Sequence, residues 1–188
     1  MFSIANEMAY RGDMVQGRGS GEAAGLEALG PSRWIDVPRP EGDHFYVGDA
    51  DVVAELLARL PWGTSSAVPS IAVISPFRRV VRELSPRIDH QLRQSVPRDL
   101  SPEEQDRVVA TVGVGTVHVF QGQEYDVVIL VLGGGSAGAR RWAAATPNLL
   151  NVAVTRAKDR LYVVGDHAAW ATVGHATFLD DGLPKTER

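Results

Sequence analysis

The chain has no cysteine, no long apolar run, no excess of basic residues and no phosphate-binding loop, and each absence removes a class of protein. Without cysteine there are no disulfides and no thiolate metal sites, which fits a cytoplasmic protein. No apolar stretch approaches the roughly 20 residues that a membrane span requires. The opening MFSIANEMAYRGDM lacks the basic segment and apolar stretch of a secretory signal. Acidic residues outnumber basic ones, 23 to 19, for a net charge of −4. A globally basic nucleic-acid coat is therefore excluded, and any such binding has to be local. The glycine run GGGSAG at 133–138 lacks the Gly-Lys-Ser/Thr ending of a phosphate loop and reads as a flexible connector. Asp43, His44, Asp166, His167 and His175 are too scattered in sequence to suggest a metal site, so none is expected.

What remains is ordinary globular material. A length of 188 residues with 44% hydrophobic and 22% charged content supports one well-buried domain. Residues 1–15 read as a short amphipathic helix or hairpin, and 17–32 as a flexible small-residue loop. Trp34 begins a possible first strand. Residues 49–60 form the clearest early helix, with Val52, Val53, Leu56, Leu57 and Leu60 at helical spacing and Pro61 ending it. IAVI at 71–74 is a short buried strand of the parallel-sheet kind. A helix from Phe77 is expected to break near Ser85-Pro86 and restart there. SPEE at 101–104 is another helix start, with carboxylates in its first turn.

Residues 111–120 read as a strand, with Val112, Val114, Thr116 and His118 in phase, and DVVILVL at 126–132 as the strongest buried strand. Thr146-Pro147 opens a helix to about Lys158, and a last strand covers 161–164. The pattern beyond Gly174 is weak. Strands alternating with helices predict an α/β domain with a mostly parallel sheet.

In such sheets ligands collect beyond the carboxyl ends of the strands. Three polar turns are expected there: Ser75-Pro76-Phe77 with Arg78 and Arg79, the turn at 121–124, and Gly165-Asp166-His167. On the helix from Pro147, the residues Leu149, Leu150, Ala153, Val154 and Ala157 form an apolar face, with Asn148, Asn151, Thr155 and Asp159 opposite. Arg156 lies at the margin, where a guanidinium can reach a phosphate; equally, it suits a solvated arginine at a helix C-terminus. Gly122 permits close backbone approach, and Glu124 could accept from a ribose hydroxyl; the same four residues also make a plain turn. His118 and Thr116 could touch a phosphate, or be structural. Arg78, Arg79, Arg82, Arg87 and Arg93 make a local basic cluster, or a solvated helix face.

Taken together, AVISPFRRVV, GTVHVFQGQEYDVVILV and LLNVAVTRAKDRLYVVGD resemble motifs IV, V and VI of superfamily 1 helicases. The branch is that of the nonsense-mediated-decay helicase and its DNA-repair relatives, and the domain is the second, C-terminal RecA-like one. FSIANEMAYRGDMV resembles the segment joining motif III to that domain. The resemblance implies a three-layer α/β RecA-like fold without its own phosphate loop. It divides the chain into a linker at 1–33, the RecA-like domain at 34–170 and a tail at 171–188.

The resemblance also implies roles. Arg156 becomes the arginine finger, and Gln121, Gly122 and Glu124 the nucleotide contacts, to ATP with magnesium. Ser75, Pro76, Thr116, His118 and Thr155 would lie along single-stranded DNA or RNA. Val80 and Val81 stand where motif IV supplies a glutamine or arginine, leaving Arg79 or Arg82 as the second phosphate contact. No acidic pair stands on a strand to hold magnesium. A first RecA-like domain, in a longer protein or a separate chain, would have to complete the site, and the expectation is a fragment inactive alone. The other class of function is a non-enzymatic module that binds nucleic acid or protein.

Overall fold

A computed structural model describes residues 25–62, 68–145 and 147–187. The expected element at 1–15 and most of the loop at 17–32 lie outside them. Six parallel strands form one sheet in the order β3-β2-β4-β5-β1-β6. They are β1 (Arg33–Asp36), β2 (Ile71–Ser75), β3 (Val112–Thr116), β4 (Tyr125–Val131), β5 (Ala157–Gly165) and β6 (Lys185–Glu187). The strands are all parallel, where the sequence predicted mostly parallel.

The helices are α1 (Val47–Ala58), α2 (Arg78–Ser95), α3 (Pro102–Val109), α4 (Ala137–Ala144), α5 (Pro147–Thr155), α6 (His167–Trp170) and α7 (Thr177–Gly182). Parallel strands need crossovers, and these are right-handed. The moves β1 to β2 and β2 to β3 run one way across the sheet, which puts α1, α2 and α3 on one face. The moves β3 to β4, β4 to β5 and β5 to β6 run the other way and put α4, α5 and α7 on the opposite face. The result is three layers. β2 and β4 at the centre are apolar on both faces: Ile71, Ala72, Val73 and Ile74 are buried, as are all five residues from Val127 to Val131. Among the described residues no helix is long and apolar enough to cross a membrane.

Three buried tryptophans pin the layers, and each donates its indole N–H to a backbone carbonyl. Trp34 bonds Gly165 at 3.0 Å, Trp62 bonds Leu57 at 2.7 Å and Trp170 bonds Gly133 at 3.0 Å. Each thus buries a large ring without orphaning its donor.

Several local expectations change. α2 runs unbroken through Pro86. Pro86 and Arg82 both face solvent, so the Arg82 carbonyl that loses its partner lies on the solvent side of the helix, and Ser85 returns its hydroxyl to the Val81 carbonyl at 2.9 Å. α3 starts as predicted, with a full capping box between Ser101 and Glu104.

The strand expected over 111–120 ends at Thr116, and 117–120 turn into a 3-10 helix. α5 stops at Thr155 and β5 begins at Ala157, so the connection is Arg156 alone. The glycine run is packed rather than flexible. A Cβ on Gly133 would sit 2.8 Å from the His44 carbonyl and the Val80 side chain, and Gly133 and Gly134 both have positive φ. Within the small-residue loop, Leu26 and Leu29 are buried on a 3-10 turn. Beyond Gly174 the chain adds α7 and then β6, which pairs with β1 at the sheet edge.

Candidate nucleotide and nucleic-acid edges

The candidate residues divide between the two ends of the sheet. Residues 121–124 precede β4, and Arg156 precedes β5. Tyr125 and Ala157 are register partners, so both sit at the amino edge. The 121–124 turn is therefore not at a carboxyl end, contrary to the sequence expectation. The reason is the 3-10 helix, which carries the chain back across the sheet after Thr116. Its Phe120 ring lies over β3, where Cβ atoms on Gly113 and Gly115 would meet it at 2.8 and 3.0 Å. Tyr125 then meets Phe120 edge-on, 5.3 Å between centroids.

At the amino edge Arg156 holds the helix end to the turn. Its Nε donates to the Val152 carbonyl at 3.2 Å, one terminal nitrogen to the Gln123 carbonyl at 3.0 Å and the other to Thr155 Oγ1 at 3.2 Å. These bonds use three of the five guanidinium donors. Gln121, Gly122, Gln123 and Glu124 are exposed. Gly122 has φ +84°, and nothing stands within 4 Å of the position its Cβ would take. The turn is thus left-handed and open on its outer side, which lets a ligand approach the backbone.

Alongside lies Asp126, whose carboxylate accepts from the Ser70 N–H and hydroxyl, both at 2.8 Å, and faces Lys158 at 3.5 Å. Burial opposes its ionisation, but the Ser70 hydrogen bonds and Lys158 outweigh that and hold its carboxyl below the usual range. Thr155, expected on the nucleic-acid side, stands here beside Arg156. Asn151, expected on a polar face, is buried, and its Oδ1 has no hydrogen-bond partner among the described residues.

At the carboxyl edge, Ser75 and Pro76 are buried, with Ser75 Oγ accepting from the Phe77 N–H at 3.3 Å. They build the turn rather than present themselves to a ligand. Thr116 is half-buried and His118 exposed. Arg79 pairs with Asp43 at 2.9 Å, at the opposite edge from Arg156, so the structure does not bring these two arginines together.

Behind them Arg39 and Asp49 form a buried ion pair at 3.1 Å. Desolvation pushes the Asp49 carboxyl up to about 7, against Arg39 and with help from Asp166. Sequence reasoning gave no role to Trp142, which is exposed on α4 beside this edge. Its signal was the pair of arginines before it.

Comparison with known families settles the class. The model of the AAA domain family matches residues 4–168, most of the chain. The chain belongs to the AAA domain family. The C-terminal domain of a possible DNA helicase from Lactobacillus plantarum covers 90% of this AAA domain over 99% of its own length, with a TM-score of 0.50 and 15% identity. The C-terminal domain of the DEAD-box protein Dbp5 covers 84%, over 89% of its own length, with a TM-score of 0.49 and 12% identity. No curated protein matches the sequence. The fold of this AAA domain is that of a RecA-like helicase C-terminal domain, as the motif resemblance implied. Its described residues include no group of three or more His, Asp or Glu placed to hold a metal ion.

Proposed function

We propose that this AAA domain is the C-terminal motor half of an ATP-dependent superfamily 1 helicase or translocase. The observation that carries the reading is the Arg156 guanidinium, bridged to the Gln123 carbonyl beside an open, left-handed Gly122 at one sheet edge. A planar cation fixed by a helix end and a turn is preorganised, and its two remaining donors suit a pair of phosphate oxygens. The fit extends to the phosphate and sugar side of ATP, with Glu124 and Gln121 on the same turn. It does not extend to magnesium, since no metal-ligating group is formed among the described residues. The reading therefore assigns the phosphate cradle and metal ligands to a first RecA-like domain, in the same polypeptide or another chain. ATP with magnesium supplies the phosphoryl-transfer chemistry. This chain's residues orient Arg156 and offer Thr116 and His118 to a single strand of DNA or RNA at the other edge.

A second reading has its own observation. Arg156 already makes three hydrogen bonds inside the domain, which is how a purely structural clamp would look, and a binding module without ATP chemistry would keep it for that reason. The deciding experiment is nucleic-acid-stimulated ATPase activity of this chain joined to a first RecA-like domain, with Arg156→Ala as control. Activity in the joined form that Arg156→Ala abolishes supports the motor half. A folded joined form with no activity refutes it and leaves the module.

A further inference from the structure

Of the four tryptophans, Trp142 alone faces solvent, 59% exposed. The other three are buried and bonded to carbonyls, whereas Trp142 gives up that burial. On α4, Ala143 and Ala144 face inward and Arg140 is held by the Gly134 carbonyl and Glu41. Arg141 and Trp142 face outward. Gly138 lies one turn back on the same face of the helix. Gly138 contributes no side chain, and only Ser136 Oγ comes near its Cβ position, at 4.0 Å. The outer face of α4 is therefore open one turn before the indole and the Arg141 guanidinium.

The inner side of the indole is braced. Phe77 lies 5.9 Å from Trp142, tilted 43°, and His44 stacks on Phe77 at 4.5 Å. Charge on this side of the domain is unevenly paired. Arg79 pairs with Asp43 and Arg140 with Glu41, while Arg82 and Arg87 share the single carboxylate of Glu83. Arg78, next to Phe77, and Arg141 have no carboxylate partner among the described residues. In a chain of net charge −4, the one exposed indole has an unpaired cation next to it in sequence, Arg141, and another, Arg78, next to the Phe77 ring it meets.

We infer that Trp142 is a stacking platform for one base of a single-stranded nucleic acid, with Arg78 and Arg141 taking the flanking phosphates. Stacking on an aromatic face with cations along the backbone is the general means of holding a single strand, whose bases are free as those of a duplex are not. The inference rests on the motor-half reading and adds a base contact at the edge where Ser75 and Pro76 are buried.

The test uses the chain with oligothymidylate and with an abasic deoxyribose-phosphate strand of equal length. Trp142→Ala is expected to weaken oligothymidylate binding about tenfold and leave the abasic strand unaffected, while Trp142→Phe retains most of the affinity. Oligothymidylate should also quench the tryptophan emission of the wild type and not that of Trp142→Phe. Circular dichroism confirms that the variants fold. Equal loss on both strands, or no loss on either, overturns the platform and leaves the motor-half reading standing. Failure of the wild type to bind any single strand also overturns the platform, and the motor-half reading is then decided by the joined-form ATPase assay alone. Self-association of the wild type that Trp142→Ala removes overturns the platform in favour of a contact between copies.

Discussion

Arg156 and Gln123 are joined at 3.0 Å, guanidinium to backbone carbonyl, while the Arg156 carbonyl accepts from the N–H of Tyr125 at 2.8 Å. The end of α5 and the turn before β4 are thus one unit, held by both the side chain and the main chain of a single residue.

Arg156→Ala should lower ATP turnover of the joined two-domain form by about a thousandfold or more, the scale of an arginine finger. Loss of its hydrogen bonds should cost roughly 1–2 kcal/mol of stability. Arg156→Lys keeps the charge without the fork and should fall between. Steady-state ATPase assays and urea unfolding of the same preparations separate the two effects. A stability loss with unchanged turnover would assign Arg156 to the scaffold.

Gly122→Ala places a Cβ at φ +84° in open space, so the penalty is conformational and not a clash. It should destabilise the domain by roughly 1–2 kcal/mol and raise KM for ATP in the joined form. An unchanged midpoint in urea would contradict the left-handed turn.

Pro86→Ala should stabilise the domain by roughly 1–3 kcal/mol, by supplying the missing N–H to an exposed, continuous α2. Had the helix stopped and restarted at Ser85-Pro86, proline would be favourable and the substitution destabilising. The sign of the change in thermal unfolding decides between them.

Asp49 sets a pH dependence. Its folded-state value of about 7 lies above the ordinary 3.8, so the folded form holds a proton that the unfolded form has released. Its contribution is therefore fully present below pH 4 and is lost as pH rises toward and through 7. Urea midpoints should fall over that window, and Asp49→Asn should remove the slope. A carboxyl NMR resonance titrating near 4 would sink the prediction.

The sequence made much of this legible where burial follows a simple period. Val52, Val53, Leu56 and Leu57 announced α1, and the uninterrupted apolar stretch of β4 announced the sheet centre. It failed where tertiary contacts decide. α4 has only two fully buried residues, both alanine, and its GARRWAA pattern shows no apolar stripe. β6 is exposed at all three positions and is defined only by pairing with β1. β5 begins four residues before the apolar stretch that revealed it, because Ala157 is fixed by its register with Tyr125. At the candidate site, the sequence motifs group Gln121, Gly122, Glu124 and Arg156, and the structure brings them to one edge. Their placement at carboxyl ends failed because residues 116–120 look like a strand, and only the fit of Phe120 onto two glycines shows the chain turning back.

That fit has a mechanical consequence. The crossover from Thr116 to Glu124 is seated on the sheet near its middle by the Phe120 ring, with Val117 also buried, and reaches both edges. One short segment therefore links the two edges, and its seat on β3 sets where each end stands. A side chain at Gly113 would push the Phe120 ring off that seat and disturb the positions of both ends.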